Sequence, residues 1–320
     1  MEATLRWSLV TAVAPIAWGT NYFVTHEHLP AGFPLYGAVI RALPAGLLLL
    51  AVARQRPRGS WWWKSLVLGA LNTSVFFSLI YVAATALPTS LASMIMATSP
   101  VVLMLLAWPM VAERPTGRAL TGAAIGIGGA CLMLLTAAAR VNLVGVAASV
   151  GAMVLSSVGY ILAKRWAGEV DVLASTSWQL IAGSVLLIPP AILVEGAPPA
   201  LGGEALFGFG YVTVVATALA FAAWFAGLKH LPAGTVGLIG LLNPVTGVLL
   251  GTLVAGETLT ARQVIGIVLV LAGLLLGTYS ARKADSNRAR RRWPAWCEDL
   301  WSRLRFWSPR HQPRSRRPVG

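Results

Sequence analysis

The sequence predicts an all-α fold: a polytopic membrane protein of ten transmembrane helices arranged as two inverted five-helix repeats. Three observations predict it. Hydrophobic residues make up 57% of the 320-residue chain and charged residues only 11%, with a mean hydropathy of +0.71, well outside the usual range of water-soluble domains. Long charge-free runs alternate with short polar connections. Finally, the second half of the chain repeats the landmarks of the first at one fixed offset.

A helix needs about twenty apolar residues to cross roughly 30 Å of hydrocarbon, because its backbone polar groups must be satisfied within the segment. The charge-free stretches place spans near 7–25, 33–53, 63–84, 88–111, 118–138, 143–163, 172–194, 205–227, 233–255 and 262–281. Arg6 followed by an apolar stretch has the outline of a signal peptide. Residues 7–25 are nevertheless long enough to span and are followed by further spans, so they are read as a retained first helix. The uncharged run from Ser65 to Ala112 is too long for one crossing. It is divided at Ala86-Leu87-Pro88, where a proline can open a helix's first turn, and the same Leu-Pro break recurs at Leu231-Pro232.

The repeat is carried by Leu87-Pro88, Pro100, Glu113, Thr116, Arg118, Gly122 and Gly129. They match Leu231-Pro232, Pro244, Glu257, Thr260, Arg262, Gly266 and Gly273, every pair 144 residues apart. Each half holds an odd number of spans, so the second half is expected to sit upside down relative to the first, the plan of many secondary transporters. The domain reading is therefore a first repeat over residues 1–139, a second over 140–282, and a basic, Trp-rich cytoplasmic tail over 283–320.

Orientation follows from lysine and arginine, which concentrate in cytoplasmic loops. With the N-terminus inside, the loops excluding the tail carry ten basic residues on the cytoplasmic side against Arg140 and Arg262 outside. Both termini are expected in the cytoplasm of a bacterial cell, the protein being a multi-pass component of its plasma membrane. The net charge of +14 owes most of its excess to the tail, which argues against a folded nucleic-acid-binding surface. Within the tail, Trp293, Trp296, Leu300, Leu304 and Trp307 recur at helical spacing among basic residues. That pattern fits an amphipathic helix on anionic lipid headgroups, while Pro294, Pro309, Pro313 and Pro318 fit a disordered basic extension.

Cys131 and Cys297 offer neither a disulfide framework nor metal-ligand spacing. His26, His28 and His230 fall at expected loops and His311 in the tail, so no metal and no cofactor is expected. Nor is there a Walker-type glycine loop, so direct ATP coupling is not indicated.

Trp18-Gly19-Thr20-Asn21, together with the Leu-Pro, Pro and Glu landmarks in both halves, resembles the EamA branch of the drug/metabolite transporter superfamily over nearly all of residues 7–281. The resemblance implies a ten-helix permease that moves metabolites, amino acids among them, by alternating access, with export commoner than import. In the sixth span, Leu155-Ser156-Ser157-Val158-Gly159-Tyr160 has no counterpart of the Trp-Gly signature, so the two halves are not interchangeable.

Polar groups inside a span are costly unless they face protein or a wet cavity, which makes each one a candidate pathway residue. Arg41 stands alone in the second span, where a solute or gating contact competes with snorkelling to the interface. Trp18, Asn21, Tyr22 and Thr25 share one face of the first span, suited to a cavity wall or to interhelical hydrogen bonding. Asn72 and Phe76 share a face of the third span, with Phe77 and Tyr81 on a neighbouring one. Phe221 and Phe225 occupy the 144-offset positions of Phe77 and Tyr81, and Trp224 lies beside them. Aromatic residues at one level in both halves fit a pocket or ordinary core packing. Ser99, Tyr160, Gln179 and Asn243 complete the candidate substrate pathway. Pro100 and Pro244 free the carbonyls of Met96 and Gly240 and mark a hinge or a static kink. Glu113 and Glu257, at the turns before the fifth and tenth helices, are expected to cap helix N-termini. The glycines of the fifth and tenth spans are expected to let helix backbones approach closely.

The function expected is secondary transport of a small molecule within the lipid bilayer, as an exporter of amino acids or related polar or amphipathic solutes, possible as a homo-oligomer and with no nucleic-acid partner. An enzyme is not expected, since clustered carboxylates, histidines or metal ligands at the membrane edge are missing. A sensor or scaffold, or a lipid-modifying enzyme without transport activity, remains the alternative.

Overall fold

A computed structural model describes residues 2–28, 32–134, 142–254 and 258–284. All regular structure in these residues is helical. In chain order the helices are α1 (Glu2–His28), α2 (Pro34–Ala53), α3 (Trp61–Gly69), α4 (Val75–Ala86), α5 (Thr89–Ala97), α6 (Ser99–Val111), α7 (Gly117–Leu134), α8 (Leu143–Trp166), α9 (Val172–Glu195), α10 (Gly203–Thr213), α11 (Ala220–His230), α12 (Ala233–Gly240), α13 (Leu242–Leu253) and α14 (Ala261–Ala284). Two π-helical turns, Ala70–Ser74 and Val214–Leu219, join α3 to α4 and α10 to α11 into continuous rods. Among the described residues, nine stretches are long and apolar enough to cross a membrane, beginning with Pro34–Ala53 and ending with Ala261–Thr278. The 27-residue α1 is not one of them, because Trp18, Thr20 and Asn21 dilute its apolar content.

The outer surface is what a hydrocarbon solvent requires. Leu193, Leu253 and Leu275 are 84%, 81% and 70% exposed, and in water so many bare leucines would drive association. Packing inside depends on small residues, since lipid leaves no hydrophobic force between helices and close van der Waals contact must hold them together. Ala42, Ala45, Ala107, Ala123 and Ala130 are buried. Between α7 and α14 the glycines touch directly. A Cβ on Gly122 would lie 2.5 Å from the carbonyl oxygen of Gly273, and one on Gly129 would lie 2.6 Å from that of Gly266. Because the lower-numbered residue of one helix meets the higher-numbered residue of the other, α7 and α14 cross antiparallel.

The contacts also carry the 144-residue offset into space. α2 packs on α9 and α7 on α14, each helix against its own counterpart, while α1 packs on α11 and α4 on α8, the same contact with the partners exchanged. The π turns begin at Ala70 and Val214, and the helix breaks fall at Thr98 and Leu241, near-equivalent places in both halves. Each break is one tight turn, with Thr98 N–H bonded to the Ile95 carbonyl and Leu241 N–H to that of Leu238. Pro100 and Pro244 follow directly and cannot donate to the preceding turn.

Charges at the helix ends define two poles. At the first, the Glu113 carboxylate accepts the backbone N–H of Ala233 at 2.7 Å and lies 3.1 Å from Lys164 Nζ. The same ammonium donates to the carbonyls of Leu228 and Leu231 at the end of α11, at 2.7 and 2.5 Å. Glu113 thus caps α12, not the helix that follows it in sequence, because the Leu-Pro turn of the second half is brought beside it. Glu257 lies outside the described residues, as does the tail beyond Ala284. At the opposite pole, Glu195 accepts the N–H groups of Leu35 and Tyr36 at 2.6 and 2.9 Å and caps α2. Lys64, in the first turn of α3, is buried and paired with Glu169 beneath the rings of Trp61 and Trp166. His26, His28 and His230 lie in the last turns of helices, not in loops.

Candidate functional site

The expected pathway residues fall into three groups. The first surrounds Arg41, in the second turn of α2. Its Nε donates to the Thr217 hydroxyl at 2.9 Å, Nη1 to the Asn21 side-chain carbonyl at 3.2 Å and Nη2 to the Ala216 backbone carbonyl at 3.1 Å. The guanidinium also stands 5.7 Å from the centre of the Phe77 ring. These partners come from α1, α4 and the second π turn, so the charged head points into the bundle and not toward lipid. Thr217 can accept from Arg41 because its own hydroxyl proton goes to the Val212 carbonyl at 2.8 Å. The wider π turn presents the Ala216 carbonyl sideways, as π turns at functional sites often do, and Trp18 Nε1 bonds the same oxygen at 3.1 Å.

An aromatic layer continues from Trp18. Its ring meets Phe221 at 5.4 Å and Trp224 at 5.2 Å between centroids. Tyr160 meets Trp224 at 5.5 Å and Phe225 at 5.9 Å. Phe76 and Phe77 stack edge to face at 5.3 Å. Trp224 reaches the broken span as well: its ring edge would lie 3.3 Å from a Cβ on Gly240, the last residue of α12. Trp224 Nε1 is buried with no hydrogen-bond partner. Tyr81 is set apart from this layer, packed beside Phe77 against a cluster that includes Tyr36 and Leu187.

The second group lies at the first π turn. Asn72 donates to Gln179 Oε1 at 2.9 Å, both residues being buried. Asn72 Oδ1 and Thr73 Oγ1 have no partner. Thr73 and Thr217 are 144 residues apart, so one half sets a hydroxyl against a guanidinium where the other leaves it without a hydrogen-bond partner. The third group, Ser99 and Asn243, opens the second segments of the two broken spans, both half-buried. Gly19 brings α1 against that segment, since a Cβ there would lie 2.8 Å from the Asn243 carbonyl. The side chains of Tyr22 and Thr25 lie outside the described residues.

The two broken spans do not meet evenly. α6 and α12, the segments on the Glu113 side of the breaks, pack together. A Cβ on Gly237 would lie 2.9 Å from Pro100 Cα, and one on Gly234 would lie 2.7 Å from Met104 Cγ. Their partners across the breaks, α5 and α13, make no comparably extensive contact among the described residues. The broken spans thus meet on the Glu113 side of their breaks, and Arg41 lies toward the other pole.

Thr217, Ala216 and Lys164 were not legible as site residues. A hydroxyl in a span is common, and nothing in the sequence marks a π turn; the Thr73–Thr217 offset was the available signal. Among the described residues, no group of three or more histidines, cysteines or carboxylates could hold a metal.

A membrane-spanning helical bundle with polar and aromatic groups turned inward is the build of a permease, and comparison with known proteins gives its family. The EamA-like transporter family matches residues 5–135 and again 143–279. The chain belongs to that family, whose members are transporters and not enzymes. It is similar to the protein PecM of Dickeya dadantii strain 3937, with 33% identity over 265 residues, covering 82% of this chain and 89% of that one. A similar relative is the uncharacterized inner membrane transporter YedA of Escherichia coli K12, at 28% identity over 274 residues, covering 82% and 87%. Another is a probable amino-acid metabolite efflux pump of Salmonella typhimurium, at 27% over 295 residues, covering 85% and 95%. One crystal structure superposes with a TM-score of 0.76 at 19% identity, over 87% of this chain and 98% of that one, a likeness of fold alone. The chain is thus a multi-pass inner-membrane transporter.

Proposed function

We propose that this chain is a secondary exporter of small polar or amphipathic metabolites, amino acids among them, working by alternating access between two inverted five-helix repeats, residues 1–139 and 140–282. α1 supplies the tenth span, with Trp18, Thr20 and Asn21 as inward polar groups that a purely lipid-facing helix would lack. The observation that carries the reading is the uneven meeting of the broken spans: α6 packs on α12, while α5 and α13 make no comparably extensive contact among the described residues. Two equivalent segment pairs, one engaged and one not, describe one end-state of a rocking pair, and exchange of their roles would give the other. The antiparallel crossing of α7 and α14 at Gly122–Gly273 and Gly129–Gly266 supports the inversion.

The lysine and arginine distribution favours a cytoplasmic Glu113 pole and cytoplasmic termini, making the present state outward-facing. The name carried by the Salmonella relative favours amino-acid metabolites and outward movement. The basic tail fits an accessory that rests on anionic lipid. Full-length protein in liposomes should move amino acids or related solutes across the bilayer. A panel of amino acids, nucleosides, sugars and organic cations that all failed to move, with and without a proton gradient, would contradict transport.

A further inference from the structure

We propose that Arg41 is the anion anchor of the solute site, and that the solute is a carboxylate joined to a flat apolar body. The proposal rests on the transporter reading and names its substrate class. A guanidinium carries five N–H donors, and the protein uses three of them, on Thr217, Asn21 and Ala216. One N–H remains on each terminal nitrogen, the pair of atoms from which arginine holds a carboxylate in a two-pronged contact.

The three protein partners are dipoles: a hydroxyl, an amide and a backbone carbonyl. Among the described residues no carboxylate pairs with Arg41. Dipoles orient around a half-buried cation but do not neutralise it, and an unneutralised charge at membrane depth is costly. An entering anion cancels that charge, whereas an organic cation meets like-charge repulsion. The body of the solute follows from the same shell. Phe77 lies beside the guanidinium, and Trp18 shares the Ala216 carbonyl with it while packing on Phe221 and Trp224. A carboxylate on Arg41 therefore places whatever it is attached to against aromatic rings, where planar apolar groups stack well.

The test is a thermal-shift titration of detergent-solubilised full-length protein with two acids, 3-phenylpropanoate and L-phenylalanine, and their carboxylate-free counterparts, 3-phenylpropanamide and phenethylamine. At least one acid should bind on the order of tenfold or more tightly than its counterpart, the scale of a charge-assisted hydrogen bond. Preference for 3-phenylpropanoate assigns a free organic acid, and preference for L-phenylalanine an amino acid. Arg41→Gln should erase the discrimination, so that acid and amide bind alike, and Arg41→Lys should retain part of it. The wild-type comparison needs no substitution and stands even where Arg41→Gln fails to fold. Equal binding of acids and counterparts, or stabilisation by neither acid, overturns the anchor. The same four solutes in proteoliposomes separate the two readings. Movement without preference for the acids leaves the transporter standing and removes the anchor, whereas acid-selective binding without movement keeps the anchor and contradicts transport.

Discussion

At the scale of single residues, the polar groups of the bundle divide by whether their partners are charged. Glu113 meets an ammonium and a helix N-terminus together, two favourable partners for one carboxylate. Glu113→Ala removes the cap on Ala233 and the charge facing Lys164. It should lower stability by about 2–3 kcal/mol, read as a fall in unfolding temperature in detergent; Glu113→Gln, which can still accept from Ala233, should lose less. Arg41 was legible in the sequence because an ionisable residue in a span always stands out. Its partners were only partly legible. Asn21 sits in a recognisable polar stripe, but Thr217 looks like any membrane threonine and Ala216 contributes through its backbone, which no residue type announces.

At the scale of elements, glycine and proline carry opposite duties. Gly122 and Gly129 are read from sequence as close-packing sites, and the 2.5 and 2.6 Å distances from their would-be Cβ atoms to facing carbonyls give the reason. Gly122→Val should destabilise the α7–α14 pair by about 1–3 kcal/mol or more, because the atom in the way is backbone and cannot rotate aside. Gly128, with open space at its Cβ position, should accept alanine with little change in the same unfolding assay. The prolines act through what they withhold. Pro244→Ala restores a donor to the break at Leu241, so straightening should slow solute flux several-fold while leaving unfolding temperature unchanged or raised. If flux is undiminished, the break is a fixed kink without a part in transport. Leu-Pro turns and mid-span prolines were readable because proline's geometry is unconditional. The π turns were not, since Ala70–Ser74 and Val214–Leu219 share no sequence signature and arise from packing.

At the scale of the whole molecule, two related halves make two matching sets of contacts, and one departure from that matching suggests how the protein works. Most individual spans and the repeat's landmarks were readable because hydrocarbon imposes length and a fixed offset preserves landmarks. The uneven packing of the broken spans was not, because it depends on which side chains meet across the bundle and not on the composition of either span. Antiparallel halves would put Arg114 and Thr258 on opposite faces of the membrane. They lie 144 residues apart and are both exposed. With Cys131 and Cys297 replaced by alanine, Arg114→Cys and Thr258→Cys can be probed separately in intact cells with a membrane-impermeant maleimide. Antiparallel halves require that Thr258→Cys is labelled from outside while Arg114→Cys reacts only after permeabilisation; labelling of both from the same side would overturn the inversion.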